Sequence, residues 1–266
     1  MGEVYTGTMP NIPQTSPRIR LVTRGDDAGS CVSANVAIRQ AARHGILRNV
    51  SVMAPGPAFD AAVPLLKSLP VNVCLGLHVT LNAEWETVKW SPVLPRDRVP
   101  SLVDGQGYFW PTPEETRKHG ARVDEMLAEI EAQLARMREA GLTVGYIDEH
   151  MGVSGPWPEL RAGIAEIVLR EGLVDAHGLP GLPDTGGLGG IESFLKALTE
   201  APSGTYVHVT HPGWDADDMR QFDGIGQVAQ WRDADRLLLT DPDLPAALAA
   251  RSVEVIRYTD LGRVAQ

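Results

Sequence analysis

The stretch Thr23-Arg-Gly-Asp-Asp-Ala-Gly-Ser30 sets two aspartates side by side where an apolar run stops and a helical pattern starts. Neighbours in a regular strand point to opposite faces, so Asp26 and Asp27 could not share a task there. At the last strand residue and the turn after it, both can look into one crevice. One carboxylate could then hold a metal ion while the other handles protons. A plainer reading is turn and helix-capping chemistry, with Ser30 or Ser33 sharing the cap. On either reading the stretch is a strand-to-helix junction, and the fold follows from how often that junction recurs.

It recurs along most of the chain. RLVTRG (20–25) reads as a buried strand, followed by the helical SANVAIRQAARHG, which Gly45 ends. NVSVM (49–53) is the next strand and AFDAAVPLLKSL a short helix. VNVCLGLHV (71–79) alternates, with Val71, Val73, Leu75, Leu77 and Val79 on one face and Asn72, Cys74, Gly76 and His78 on the other. Val123, Met126, Leu127, Ile130, Leu134 and Met137 keep helical spacing up to Gly141. TVGYIDEH is a strand, PELRAGIAEIVLREG a helix, TYVHVTHP a strand, and VEVIRY (253–258) the last. Strands alternating with helices imply parallel strands with crossover helices, and about seven of them favour a (β/α) barrel over an open sheet.

Two stretches break the cadence. Residues 82–120 hold Pro, Trp and Tyr without periodicity, longer than a plain connection. Gly178 to Gly190 is rich in glycine and proline and lacks the GK[ST] ending of a phosphate-binding loop. A domain spanning 19–266, with an insertion at about 82–120 and a flexible lead-in over 1–18, is the expected organisation.

Composition narrows the function. Hydrophobic residues make up 43% and charged residues 22% of 266, as in ordinary soluble enzymes. The formal net charge of −10, with no basic run, argues against a nucleic-acid partner. Cys31 and Cys74 form no CxxC pair, which suggests a reducing compartment. The N-terminus lacks an apolar signal core, and no run of about 18 apolar residues occurs. A cytoplasmic protein with no membrane association is expected; a homo-oligomer is allowed.

Four strand ends carry similar chemistry: Asp26 and Asp27, His78, Asp148 with His150, and His208 with His211. Functional groups gather at the carboxyl ends of parallel strands because the following loops converge there. A carboxylate and two imidazoles from separate strands can form a facial metal site with positions left for water and substrate. Asp148 shares its facing with His150 and could orient a ligand imidazole, whereas Glu149 points away. His208 has the opposite parity to His211 and reads as structural. Trp85, Trp90, Tyr108 and Trp110 could stack on a sugar or simply pack the insertion onto the domain.

The order of blocks resembles a known family. GDDAGS resembles the ADDFG block of the YdjC-like carbohydrate deacetylases, a group that includes chitooligosaccharide and hopanoid-related deacetylases. LGLHVTL resembles their GLHLNLT block, YIDEHMG their HLDSHxH block and VTHPG their CHPG block. ARHGILRNVSVMAPGPAF and SLVDGQGYF look like the stretches between, so the likeness runs from about Arg20 to about Tyr258. It implies an irregular TIM-like barrel and one divalent cation, zinc or magnesium, on Asp27, His78 and His150. It also implies Asp26 as general base, His211 as general acid, and removal of an acetyl group from an N-acetylated sugar or oligosaccharide. Trp85 and Trp90 are candidates for substrate contact, and Asp148 for a place behind a ligand. Gly25, Ala28, Glu149 and Gly152 depart from the family pattern, which leaves no second imidazole at position 152. Competing readings are another metal-dependent amide or ester hydrolase, a non-catalytic carbohydrate-binding relative and, more distantly, a glycosyltransferase.

Overall fold

The computed structural model describes residues 18–183 and 190–262. The lead-in, Arg18 apart, and residues 184–189 of the glycine-rich loop lie outside them. The chain runs β1 (Ile19–Ala28), α1 (Val32–His44), β2 (Asn49–Val52), α2 (Phe59–Lys67), β3 (Cys74–Val79), α3 (Pro113–Lys118) and α4 (Val123–Glu139). It continues with β4 (Val144–Glu149), α5 (Pro158–Glu171), β5 (Val174–Asp175), α6 (Gly190–Glu200) and β6 (Gly204–Thr210). The last elements are α7 (Asp217–Arg220), α8 (Gln227–Leu239), α9 (Leu244–Ala249) and β7 (Val253–Ile256).

The strands form one curled parallel sheet in the order β5-β4-β3-β2-β1-β6. Pairing with β6 takes one edge of β1 over Ile19–Gly25; the other edge is divided between β7 over Ile19–Val22 and β2 from Arg24 onward. The parallel α/β architecture is therefore present. Strand pairing among the described residues does not close it into a full barrel, because β5 has only two residues and no ladder joins it to β6. A short bridge takes that place: Val207 N–H donates to Pro180 O (2.9 Å) and Leu182 N–H to Val207 O (2.8 Å).

The expected alternation of the third strand needs correction. Strand β3 starts at Cys74, Val71 is 97% exposed, and both faces of the strand are largely buried. Parallel strands flanked by crossover helices bury both faces, so the second face is an interior and not a solvent side. Even-numbered residues of β1, β3 and β4 share the concave face, where Val22, Cys74, Tyr146, Val207, Ile256 and Tyr258 make a small apolar layer. Above it lie Arg24, Ser51 and Asp148: Ser51 Oγ–H donates to Asp148 (2.9 Å) and Arg24 Nη1 reaches the same carboxylate (3.1 Å). The larger core lies between the sheet and the helices and includes Leu21, Ile38, Leu47, Val50, Leu77 and Ile130.

Helix α4 explains how the insertion is held. Glu125, Glu129 and Gln133 recur every fourth residue on its buried face. Glu125 accepts from Ser101 N–H (2.9 Å), Glu129 from Val93 N–H (2.8 Å) and Leu94 N–H (2.9 Å). Gln133 accepts from Thr80 N–H (3.1 Å) and donates to Thr80 O (2.6 Å). The segment expected to be irregular thus has three of its backbone N–H groups satisfied by one helix. Glu129→Ala strips two of these N–H groups of their acceptor. We expect a loss of about 2 kcal/mol and a melting temperature lower by roughly 4–8 °C in a thermal unfolding comparison.

On β6, His208 faces Phe194 of α6 at a ring separation of 4.7 Å, and its Nε2 is buried without a partner. Burial pushes its pKa down to about 4, so between there and the free value near 6.5 the unfolded chain takes a proton that the folded chain refuses. Stability from this group is lost as pH falls through that window. His208→Phe should show a shallower decline in melting temperature between about pH 6.5 and 4 than the parent.

Candidate functional site

The two aspartates share a crevice because the strand breaks its alternation there. Pairing with β2 slips between Gly25 and Ala28, and Asp27 has a positive φ of 66°. Left-handed backbone turns its side chain to the side that Asp26 already faces. The chain then tightens through Gly29 (φ 102°), where a Cβ would lie 2.7 Å from Met53 O. Gly25, a departure from the expected alanine, has the Leu47 side chain filling the space beside it. Cys31, and not Ser30 or Ser33, caps α1 through its own side chain, while Asp218 accepts from the Ser33 N–H (3.0 Å).

At the same end of the sheet three atoms converge. Asp27 Oδ1 lies 3.4 Å from His78 Nε2 and 3.4 Å from His150 Nδ1, and the two nitrogens are 3.3 Å apart. Each imidazole has its other nitrogen engaged, His78 Nδ1 with Asp148 Oδ1 (3.1 Å) and His150 Nε2 with Glu84 Oε2 (2.9 Å). Asp27 Oδ2 accepts from Arg232 Nη2 (2.6 Å), whereas its Oδ1 is buried without a hydrogen-bond partner. With a proton on each outer nitrogen, three lone-pair atoms face one another, an arrangement that a cation makes favourable. Zinc bonds of about 2.0–2.1 Å give tetrahedral edges of about 3.3–3.4 Å. The residues fit such an ion.

Charge supports the same fit. Arg24 holds Asp26 through two bonds of 2.7 Å, and Arg24 also reaches Asp148. Around the triangle the carboxylates of Asp26, Asp27, Asp148 and Glu84 outnumber the guanidiniums of Arg24 and Arg232, an excess of negative charge that a cation would offset. Burial disfavours a charged His78, but Asp148 and Asp26 outweigh it and lift the pKa well above the usual imidazole value. For His150, Glu84 and Asp27 overcome burial and lift it to about 9. Burial opposes the charge on Asp27 too, and Arg232 with both imidazoles holds that carboxyl well below its usual range. The pocket calls for positive charge at the two imidazoles.

A family model described as YdjC-like protein matches residues 20–178. The chain belongs to that family. A relative from Listeria welshimeri named carbohydrate deacetylase is 28% identical over 257 residues, covering 91% of this chain and all of its own. One of the same name from Enterococcus faecalis is 28% identical over 152 residues, 57% of this chain and 55% of its own. A crystal structure from E. faecalis, described as a cellobiose-phosphate cleavage protein, superposes with a TM-score of 0.76 over 93% of this chain and 99% of its own. At 19% identity that likeness shows the fold.

In this YdjC-like chain the triangle opens into a cleft of about 520 Å³ whose lining includes Asp26, Asp27, His78, His150, His211 and Trp85. His211 follows β6 and its N–H donates to Asp235 Oδ2 (2.7 Å) on α8. Trp85 lies on the cleft wall and meets Phe222 edge-on at 5.5 Å. Trp90 is buried, donates to Asn82 O (2.8 Å) and packs edge-on against His150 at 6.1 Å, behind the site and away from the cleft. Trp110 stacks on His119 at 3.6 Å. Asp148 backs His78, its neighbour on β3, and not His150. Glu149 turns toward Ser154 and His177.

Sequence reading missed Glu84, Arg24, Arg232, Asp235 and Trp231. The last three share α8, where Arg232 and Arg236 occupy buried positions and interrupt the apolar period that would have marked a helix. Arg24 had a usable signal, since it has the same strand parity as Asp26.

Arg232 is 7% exposed and pairs with Asp27, which is 2% exposed. Arg232→Met takes the charged donor from Asp27 Oδ2 and leaves the two imidazoles as its counter-charge, at a cost of about 1–3 kcal/mol. Urea unfolding of the metal-free protein should register that loss.

Proposed function

We propose that this protein is a zinc-dependent hydrolase that removes the acetyl group from an N-acetylated sugar or oligosaccharide. The observation that carries the reading is the triangle of Asp27 Oδ1, His78 Nε2 and His150 Nδ1 at 3.3–3.4 Å, opening into a cleft that Asp26 and His211 also line. The sugar is suggested by relatives that carry the name carbohydrate deacetylase. Zinc is preferred over magnesium because two of the three donors are nitrogens, and magnesium takes oxygen ligands at edges of about 2.9 Å.

When bound, the cation would polarise the acetamide carbonyl and acidify water beside it. The protein's own groups supply the rest. Burial opposes the negative charge on Asp26, but Arg24 outweighs it with help from His78 and His211, so the carboxylate is ionised at neutral pH. Arg24 fixes its plane through both oxygens, leaving lone pairs on the cleft side to take a proton from the attacking water. His211, on a different strand end, is the donor to the amine as the C–N bond breaks. Trp85 would present its ring to the apolar face of a sugar.

Asp26→Asn retains the shape and loses the base. Acetate release from zinc-loaded protein should fall about 100-fold or more, with zinc content by elemental analysis unchanged. Asp27→Ala and His78→Ala should lose both zinc and turnover. Normal turnover by Asp26→Asn would refute its role as base, and absence of acetate release from N-acetylated mono- and oligosaccharides by the zinc-loaded parent would refute the substrate class.

A further inference from the structure

Glu84 has no counterpart in the strand-end logic that brings the other site residues together. It belongs to the insertion after β3, yet its carboxylate meets His150, 66 residues further on, at 2.9 Å. Its approach is built. Gln133 clamps the backbone of Thr80, Ala83 N–H donates to Trp110 O (2.9 Å), and Trp90 ties back to Asn82 O (2.8 Å) while packing on the His150 ring. Asn82 also reaches Met151, the residue beside His150. These contacts together set the wall from which Glu84 extends.

The two imidazoles differ in what orients them. His78 is part of a strand, and its partner Asp148 is its register neighbour on β4, so the sheet itself sets the ring. His150 lies past the end of β4, in a turn whose next two residues both have positive φ, 52° at Met151 and 59° at Gly152. It presents Nδ1 to the triangle, whereas His78 presents Nε2. An imidazole offers either nitrogen as a ligand, and the hydrogen bond at one selects the other.

We propose that Glu84 is the positioning residue that fixes His150 with Nε2–H outward and Nδ1 toward the cation, so that retention of the metal depends on the insertion being docked. The inference rests on the metal reading above and adds to it the coupling between loop and ligand. Without Glu84 the Nε2–H loses the acceptor that selects its tautomer, and Nδ1 is no longer fixed as the ligand atom. The site also loses one of the carboxylates whose charge favours a cation.

The test is a titration of chelator-stripped full-length protein with zinc against a chromophoric competitor, followed by the visible spectrum of the cobalt(II)-loaded form. Glu84→Ala should weaken zinc binding about 10–100-fold and alter the cobalt band. Glu84→Gln keeps an amide oxygen as acceptor and should lose clearly less. Glu86→Gln, an exposed neighbour in the same segment, should bind like the parent. Metal-free Glu84→Ala should melt below the metal-free parent, because it loses a buried carboxylate–imidazole pair; if it does not fold, the comparison of Glu84→Gln with Glu86→Gln carries the test. Affinity and cobalt spectrum of Glu84→Ala matching those of the parent would overturn the proposal. So would equal losses in Glu84→Ala and Glu84→Gln, which would mark an effect of charge alone. A parent that takes up neither ion would instead refute the metal reading itself.

Discussion

Two guanidiniums, one buried and one partly so, make the site chemically tolerable. Arg24 and Arg232 each bind one member of the Asp26-Asp27 pair, at 2.7 and 2.6 Å, from opposite ends of the chain. Without them two adjacent carboxylates, each about 3% exposed, would be driven to take up protons. With them, both remain ionised, and each keeps a different capacity. Asp26 has both oxygens fixed by one planar group, which suits a positioned acceptor. Asp27 has one oxygen fixed and the other bare, which suits a ligand. The difference between neighbours thus comes from which arginine each one meets.

That division depends on the layering of the concave face. An apolar floor of Tyr146, Tyr258, Val22 and Ile256 supports a polar layer of Arg24, Ser51 and Asp148, and the ligand atoms sit above both. Gly76 makes the floor possible, since a Cβ there would lie 2.3 Å from the Tyr146 ring. Ring, hydroxyl and carboxylate then stack upward, Tyr146 Oη meeting Ser51 Oγ at 2.8 Å and Ser51 meeting Asp148 at 2.9 Å. The order of residues along each strand becomes order of depth in the pocket.

Strand parity was therefore the most legible part of the sequence. It placed Asp148 with His150 on the interior and Glu149 elsewhere, and it set His208 apart from His211; the described side chains lie that way. Helices whose buried face is purely apolar were legible for the same reason, as with the end of α5 at the left-handed Gly172. Parity is blind to partners from outside the sheet. Arg232 lies on a helix whose buried face includes two arginines, and Glu84 stands in a segment without periodicity, so neither differs from a solvated charge until the fold brings it inward. The barrel expectation is met as a curled parallel sheet and not as a closed ladder among the described residues, because β5, two residues long, leaves no periodic signal and pairs only with β4.

The stripe of Glu125, Glu129 and Gln133 on α4 carries an evolutionary consequence. These side chains grip main-chain amides, which every residue but proline possesses. At Val93, Leu94 and Ser101 the path of the inserted segment is thereby held through groups that do not depend on which side chains stand there. Substitutions along it can remodel the mouth of the cleft while its trajectory stays put, so new specificities can be explored without rebuilding the scaffold.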